Sequence, residues 1–334
     1  MSDVYYPDYL QLSKILNAQE PESDKLGKHA HDEMLFIIIH QAYELWFKQL
    51  LHEVGSVIEI FEHKQVDDNG GELNIVTHRM HRVNTILDLL VKQLGILDTM
   101  TPLDFLDFRD MLRPASGFQS MQFKILEARL GLRMEDRFGK QYYTSQLHPE
   151  HKAQIEALES KRTLRELVNG WLERMPFLQP QYWPGEAKFF QQLEKLYTGS
   201  LVAGEEGNAK LWQEIFVDGS DKRHFSPAAA RNALFIMLYR DEPIFQQAFR
   251  FLDQLVILDS SMARWRARHI DMVHRMIGLR VGTGGSTGKN YLRGAMDHHY
   301  VFNEIADLGS FLFERRKLPA LPDSLKKAVR FTTG

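Results

Sequence analysis

The sequence predicts an almost all-α protein, and three observations carry that expectation. Apolar residues recur at spacings of three and four through most of the 334 residues. Alternating apolar and polar stretches bounded by turn residues are nearly absent, which leaves little from which to build strands. The 44% hydrophobic and 11% aromatic content is enough to bury a substantial core between helices.

The elements follow in chain order. A short helix is expected near residues 9 to 18, and the polar run EPESDKLGK at 20 to 28 reads as a loop. Residues 31 to 63 form a long pattern, apolar almost all round near its start, as a buried helix requires. DNGG at 68 to 71 breaks the chain before another helix over 73 to 97. Thr101, Pro102 and Asp104 then supply an N-cap, a first-turn proline and an N3 acid for a helix ending near Arg113 and Pro114. Residues 116 to 130 read as a further helix, closed by Gly131.

Periodicity fades over 132 to 225. Only 163 to 174 and 187 to 197 stand out as amphipathic there, on either side of the proline-rich FLQPQYWPG. Ser226 is placed to cap PAAARNALFIMLYR, and after Pro243 a very long pattern reaches about Arg280 before the glycine-rich 282 to 290. A bundle of long antiparallel helices is the simplest architecture. Its core is expected from 1–131 and 226–334, with 132–225 as a smaller helical insertion or subdomain.

Composition narrows the chemistry. With no cysteine, disulfides, thiolate zinc sites, iron–sulfur clusters and a thiolate-ligated haem are excluded, so any metal must use His, carboxylate, Met or Tyr. A net charge of −3 gives no general attraction to phosphate backbones, and nucleic acid is not an expected partner. No apolar run approaches the ~18 residues of a spanning helix. The opening MSDVYYPDYLQL lacks the basic flank of a secretion signal. A soluble, cytoplasmic chain away from membranes is expected.

Several residues invite a functional reading beside an ordinary one. His40 lies on a helix that is apolar almost all round at that point, one turn after Phe36. A buried imidazole needs a partner, which can be a neighbouring backbone group or a ligand. His269 shares a stripe with Met262, Trp265, Met272, Val273 and Met276, a soft apolar face that would suit a flat macrocycle or plain core packing. His274, roughly 140° round the same helix, keeps company with Ile270 and Ile277, so spacing leaves both histidines open with a slight preference for His269. Arg109 offers the planar fork that a carboxylate would take, or a salt bridge to neighbouring Asp110.

GTGGSTGKN at 282 to 290 fails as a phosphate loop, because Thr283 and Asn290 break the pattern and a helix rather than a strand precedes it. What remains is an amide-rich turn able to close over a small polar group, or a plain connection. The pairs His78 and His81, His148 and His151, and His298 and His299 are weak metal candidates. No histidine has a glutamate three residues before it, and Ser56 stands where a zincin helix would need its second histidine, so di-iron and zincin patterns are missing.

Four blocks occur together and in order: Tyr6, Tyr9 and Leu10; HDEMLFIIIHQAYELWFKQLLHE; TPLDFLDFRDMLRPASGFQSMQF; and WRARHIDMVHRMIGLRVGTGGSTG. With them the chain resembles the tryptophan 2,3-dioxygenase family, densely over 5 to 130 and 226 to 294 and loosely between. The resemblance implies a helical bundle enclosing one haem b per subunit. It also implies cleavage of the indole 2,3 double bond of L-tryptophan with O2, giving N-formyl-L-kynurenine as the first step of the kynurenine route.

Carried over by position, His269 would be the iron ligand, a choice that spacing left open, and His40 would lie near the indole N–H. Arg109 would clamp the substrate carboxylate, and Thr283 would meet its amino-acid end. Phe36, Phe105 and Leu10 would wall the indole, and Ser116 would lie near the haem edge. Tyr6 and Tyr9 would come from a neighbouring subunit of a homotetramer. Some members carry Tyr where this chain has Phe105. The alternatives are a related haem oxygenase acting on another indole or aromatic amino acid, or a haem or gas sensor without turnover.

Overall fold

The computed structural model describes residues 3–63, 66, 71–138, 144, 147–175, 185–280 and 289–322, with only the backbone of 186, 289–292 and 297. Among the described residues there are helices and no strands, as the periodicity predicts. Three long helices form the frame: α4 (His31–His63), α5 (Gly71–Leu97) and α13 (Phe245–Ile277). Before them come three short ones, α1 (Tyr6–Tyr9), α2 (Leu12–Ile15) and α3 (Glu22–Lys25).

Each long helix buries one row at alternating steps of three and four. On α5 the row is Leu73, Val76, Met80, Val83, Leu87, Leu90, Leu94 and Leu97, all buried. On α4 it is Tyr43, Phe47, Leu50, Val54, Val57 and Phe61, and on α13 it is Phe245, Ala248, Leu252, Leu255, Asp259, Met262 and Arg266. Such rows pack helices side by side, and α5 lies against both α4 and α13. Between α4 and α13 sits an aromatic layer, with the Trp265 ring centroid 6.5 Å from both Tyr43 and Phe47. Phe36, early on α4, packs with Met272 and Met276, late on α13, so the two helices run antiparallel.

Smaller helices close the frame. Thr101 and Asp104 cap each other in a reciprocal box at the start of α6 (Pro102–Arg109), which packs on both α4 and α13. α7 (Met121–Leu130) lies on α4 and on α8 (Pro149–Glu159). α9 (Leu164–Glu173), capped by Thr163, packs on α4 and on α12 (Pro227–Leu238), which Ser226 caps. α10 (Glu186–Thr198) and α11 (Gly207–Gln213), the latter continuing into a π turn at Glu214–Asp218, add Tyr197, Trp212 and Phe216 to the same core that holds Trp171 of α9. α14 (Lys289–His298) returns along α13, and α15 (Asn303–Asp307) follows.

Three local expectations need correction. The helix expected over 9 to 18 is two short helices, because Gln11 adopts φ 51 and breaks the first turn from the second. The expected loop at 20 to 28 contains α3, fixed where the buried Glu33 carboxylate accepts the backbone N–H groups of Glu22 and Ser23 at 2.8 and 2.9 Å. The helix expected from 116 to 130 begins as a 3₁₀ turn at Gly117–Gln119, and α7 starts only after the extended Ser120.

Candidate functional site

The α4 row continues backward through His40 to Phe36, and the α13 row continues forward through His269 and Val273 to Met276. Both histidines therefore stand at core-row positions near one end of the antiparallel pair. Solvent nevertheless reaches His40, which is classed as exposed, while protein mass around it lowers its pKa by desolvation. A ring both reachable and desolvated stands on the wall of a cleft. The Phe36 carbonyl and the Glu44 charge oppose that lowering without reversing it.

Geometry fixes the His40 tautomer. Its Nδ1 lies 2.7 Å from the Phe36 carbonyl oxygen, which can only accept, so Nδ1 carries the hydrogen and the neutral ring keeps a lone pair on Nε2. Phe36 covers one side of the imidazole, with centroids 4.1 Å apart. Phe105 and Phe108 of α6 stand 5.7 and 5.5 Å from Phe36 and meet each other edge-on at 88°. These rings join Leu35, Met272 and Met276 in one apolar wall spanning α4, α6 and α13.

On α13, His269 is partly buried and its pKa is pushed down to about 4, chiefly by burial and secondarily by His40. His274 is exposed on the same helix. The imidazole of His269 lies parallel to Trp265, with planes 4° apart and centroids 5.2 Å apart. Arg109, at the last turn of α6, is 4% exposed. Asp110, the neighbour that sequence offered as its partner, pairs instead with Arg113 at 3.2 Å. Ser116 is half-buried, and its hydroxyl oxygen accepts the Phe118 N–H at 3.3 Å while Gln119 closes the reciprocal cap.

The structure thus gathers Phe36, His40, Phe105 and His269 at one end of the bundle, with Arg109 on the helix that carries Phe105. Tyr6 (68% exposed), Tyr9 (74%) and Leu10 (36%) lie on α1 and its cap, open to solvent. Thr283 and the glycine-rich turn lie outside the described residues.

Sequence reasoning passed over Phe108, Trp265 as the stacking partner of His269, and Glu44. Phe108 could have been found from its spacing of three to Phe105. Glu44, one turn after His40, accepts Ser120 Oγ at 2.6 Å and Gln122 Nε2 at 2.8 Å, contacts that no local pattern announces.

A single neutral imidazole cannot by itself hold a metal ion. Among the described residues no group of three or more His, Asp or Glu side chains converges to do so. A lone neutral imidazole beside an apolar and partly aromatic wall fits a macrocycle that carries its own metal ligands.

The pattern of the family described as "Tryptophan 2,3-dioxygenase" matches residues 1–210 and 209–312. The chain is 40% identical to a tryptophan 2,3-dioxygenase of Alteromonas mediterranea, covering 98% of this chain and 97% of that one. It is 38% identical to one of Bdellovibrio bacteriovorus, covering 98% of each, and 43% identical to one of Xenopus tropicalis, covering 96% and 85%.

Proposed function

Because the chain belongs to the tryptophan 2,3-dioxygenase family, with matches across nearly its whole length, we propose that it performs that family's reaction with a haem b held by His269. The reaction opens the indole 2,3 double bond of L-tryptophan and places both atoms of O2 in N-formyl-L-kynurenine. The observation that carries the site assignment is the pair of neutral histidines, His40 and His269, at facing core-row positions of α4 and α13. No helix among the described residues is long and apolar enough to cross a membrane. We place the enzyme in the cytoplasm.

The residues divide the work. His269, with its lone pair unprotonated far below neutral pH, would hold the iron. When bound, the haem supplies the site where O2 binds and is activated. Phe36 and Phe105 exclude water from that space and pack the flat indole, with the fully buried Phe108 backing both rings. The bare Nε2 of His40 accepts the indole N–H, while its other nitrogen stays anchored to the Phe36 carbonyl.

That hydrogen remains on nitrogen in the formamide product, so His40 need only orient the ring. Arg109 would take the carboxylate, with Thr283 at the same amino-acid end, and Ser116 would meet the haem edge. The exposed Tyr6 and Tyr9 suit contact with another copy, and we assign them to a neighbouring subunit of a homotetramer, with Leu10 as part of the indole wall.

The test is direct. The purified protein is reduced without oxygen, its visible spectrum is recorded with and without L-tryptophan, and isotopically labelled O2 is admitted. A haem spectrum followed by N-formylkynurenine carrying two labelled oxygens is expected. A haem-loaded protein that forms no such product overturns the proposal. Nothing in the comparisons favours the sensor or the other-substrate alternatives.

A further inference from the structure

One member of the aromatic layer between α4 and α13 has no part in the reaction as assigned. Trp265 lies one turn before His269, and its indole is parallel to the imidazole within 4°. Phe123 of α7 stands 4.8 Å from the indole, and Phe47 of α4 meets it edge-on at 81°. Tyr43 completes the surround at 6.5 Å, its hydroxyl donating to the Leu90 carbonyl of α5. Tyr43 and Phe47 are themselves buried, so the indole cannot swing aside without displacing core side chains.

A metal-bound imidazole is ordinarily fixed by a hydrogen bond from its second nitrogen to a carboxylate, a carbonyl or water, which sets ring plane, tautomer and basicity together. Among the described residues no carboxylate or carbonyl meets a ring nitrogen of His269. The parallel indole supplies the restraint on ring plane that a hydrogen bond would otherwise give.

We infer that Trp265 is the positioning residue for His269: its indole, packed against Phe47 and Phe123, sets the plane in which the imidazole meets the iron. The inference rests on His269 being the iron ligand.

The test uses the ferrous, substrate-free holoenzyme. The iron–imidazole stretching band is recorded by resonance Raman, and haem loss is followed by transfer to apomyoglobin. Removing the stacked plane in Trp265→Leu should broaden and shift the band and speed haem loss by roughly three- to tenfold, while Trp265→Phe should stay within about twofold of wild type, as expected for an aromatic pair. Phe123→Leu, which removes a ring packed against the indole while leaving His269 and Trp265 in place, should move both readouts in the same direction as Trp265→Leu.

A Trp265→Leu protein with wild-type band and loss rate overturns the inference. Should that variant not fold, judged by its circular dichroism, unchanged readouts in Phe123→Leu overturn it instead. His269→Ala separates the two levels of the argument. If it keeps the band, the ligand assignment falls and this inference with it; if it loses the band, the assignment stands and the Trp265 and Phe123 variants decide.

Discussion

The Glu127 carboxylate and the Arg266 guanidinium, 139 positions apart in the chain, meet at 2.7 Å in the interior. The other carboxylate oxygen takes Arg137 at 2.6 Å, and Arg266 also donates to the His299 carbonyl at 2.8 Å. One buried anion thereby ties α7, α13 and the chain after α14 together. Replacing it leaves two buried guanidinium groups short of charge, so Glu127→Gln should lower unfolding stability by about 3–5 kcal/mol. A denaturant midpoint equal to wild type contradicts this.

The same carboxylate predicts an acid limb. Burial raises its pKa, but Arg137 and Arg266 outweigh that and bring it down to about 2. A depressed carboxylate pKa contributes stability that is present above the unfolded value, near 4.5, and is lost as pH falls toward the folded one. Glu127→Gln should remove that part of the acid dependence, read from thermal melts across the interval.

Much of the fold was legible in the sequence because the long helices repeat a strict alternation of three and four. The rows through Leu73 and Leu97, or Tyr43 and Phe61, are written in residue type alone. His40 and His269 were legible as polar interruptions of such rows. Glu127 was not, because its partners come from distant positions that no local period links.

The breaks at Gln11 and Ser120 were missed for different reasons. At Ser120 the tertiary contact of its Oγ with Glu44 accompanies the break in a local sequence that permits helix, whereas the Gln11 side chain bonds only locally, to the Asp8 carbonyl. Spacing could not separate His269 from His274, and burial does, since one is partly buried and the other exposed.

His40→Ala should weaken turnover without abolishing it. The lost interaction is one hydrogen bond to the indole N–H, worth about 1 kcal/mol net, or roughly fivefold in rate. A substrate with a methyl group on the indole nitrogen cannot make that bond, so the variant and wild type should differ less on it than on L-tryptophan. A variant with normal haem and substrate binding but no detectable product would contradict the positioning role.

Arg109→Leu should act on substrate affinity. A buried charged hydrogen bond contributes about 1.5–3 kcal/mol, so KM for L-tryptophan should rise roughly ten- to a hundredfold. Binding of tryptamine, which has no carboxylate, should be little altered. Equal losses for both ligands would place Arg109 in the scaffold rather than at the carboxylate.

Gly294 of α14 tests how that helix is seated. A Cβ there would lie inside the van der Waals surface of the Phe138 ring, whose backbone N–H donates to His299 Nε2 at 3.1 Å. Gly294→Ala should therefore cost about 1–3 kcal/mol, the usual range for overpacking. Adding Phe138→Ala should recover part of it, giving a coupling energy in a double-mutant cycle. Strict additivity would mean that the two residues do not meet in solution.

The apoprotein should also lose stability on mild acidification because of His269. Its pKa is about 4 when folded against 6.5 unfolded, so between those values the unfolded chain binds a proton that the folded one does not. Stability conferred by the neutral ring is complete above about 6.5 and falls as pH drops toward about 4. His299 acts in the same direction, with its pKa also near 4, whereas Asp259, raised to about 6 by burial, gains stability on protonation and opposes them. The wild-type slope is therefore a sum, and the difference between wild type and His269→Asn isolates one part. The variant's melting temperature should fall less steeply with acid over that window, and parallel curves would show that burial does not hold His269 neutral.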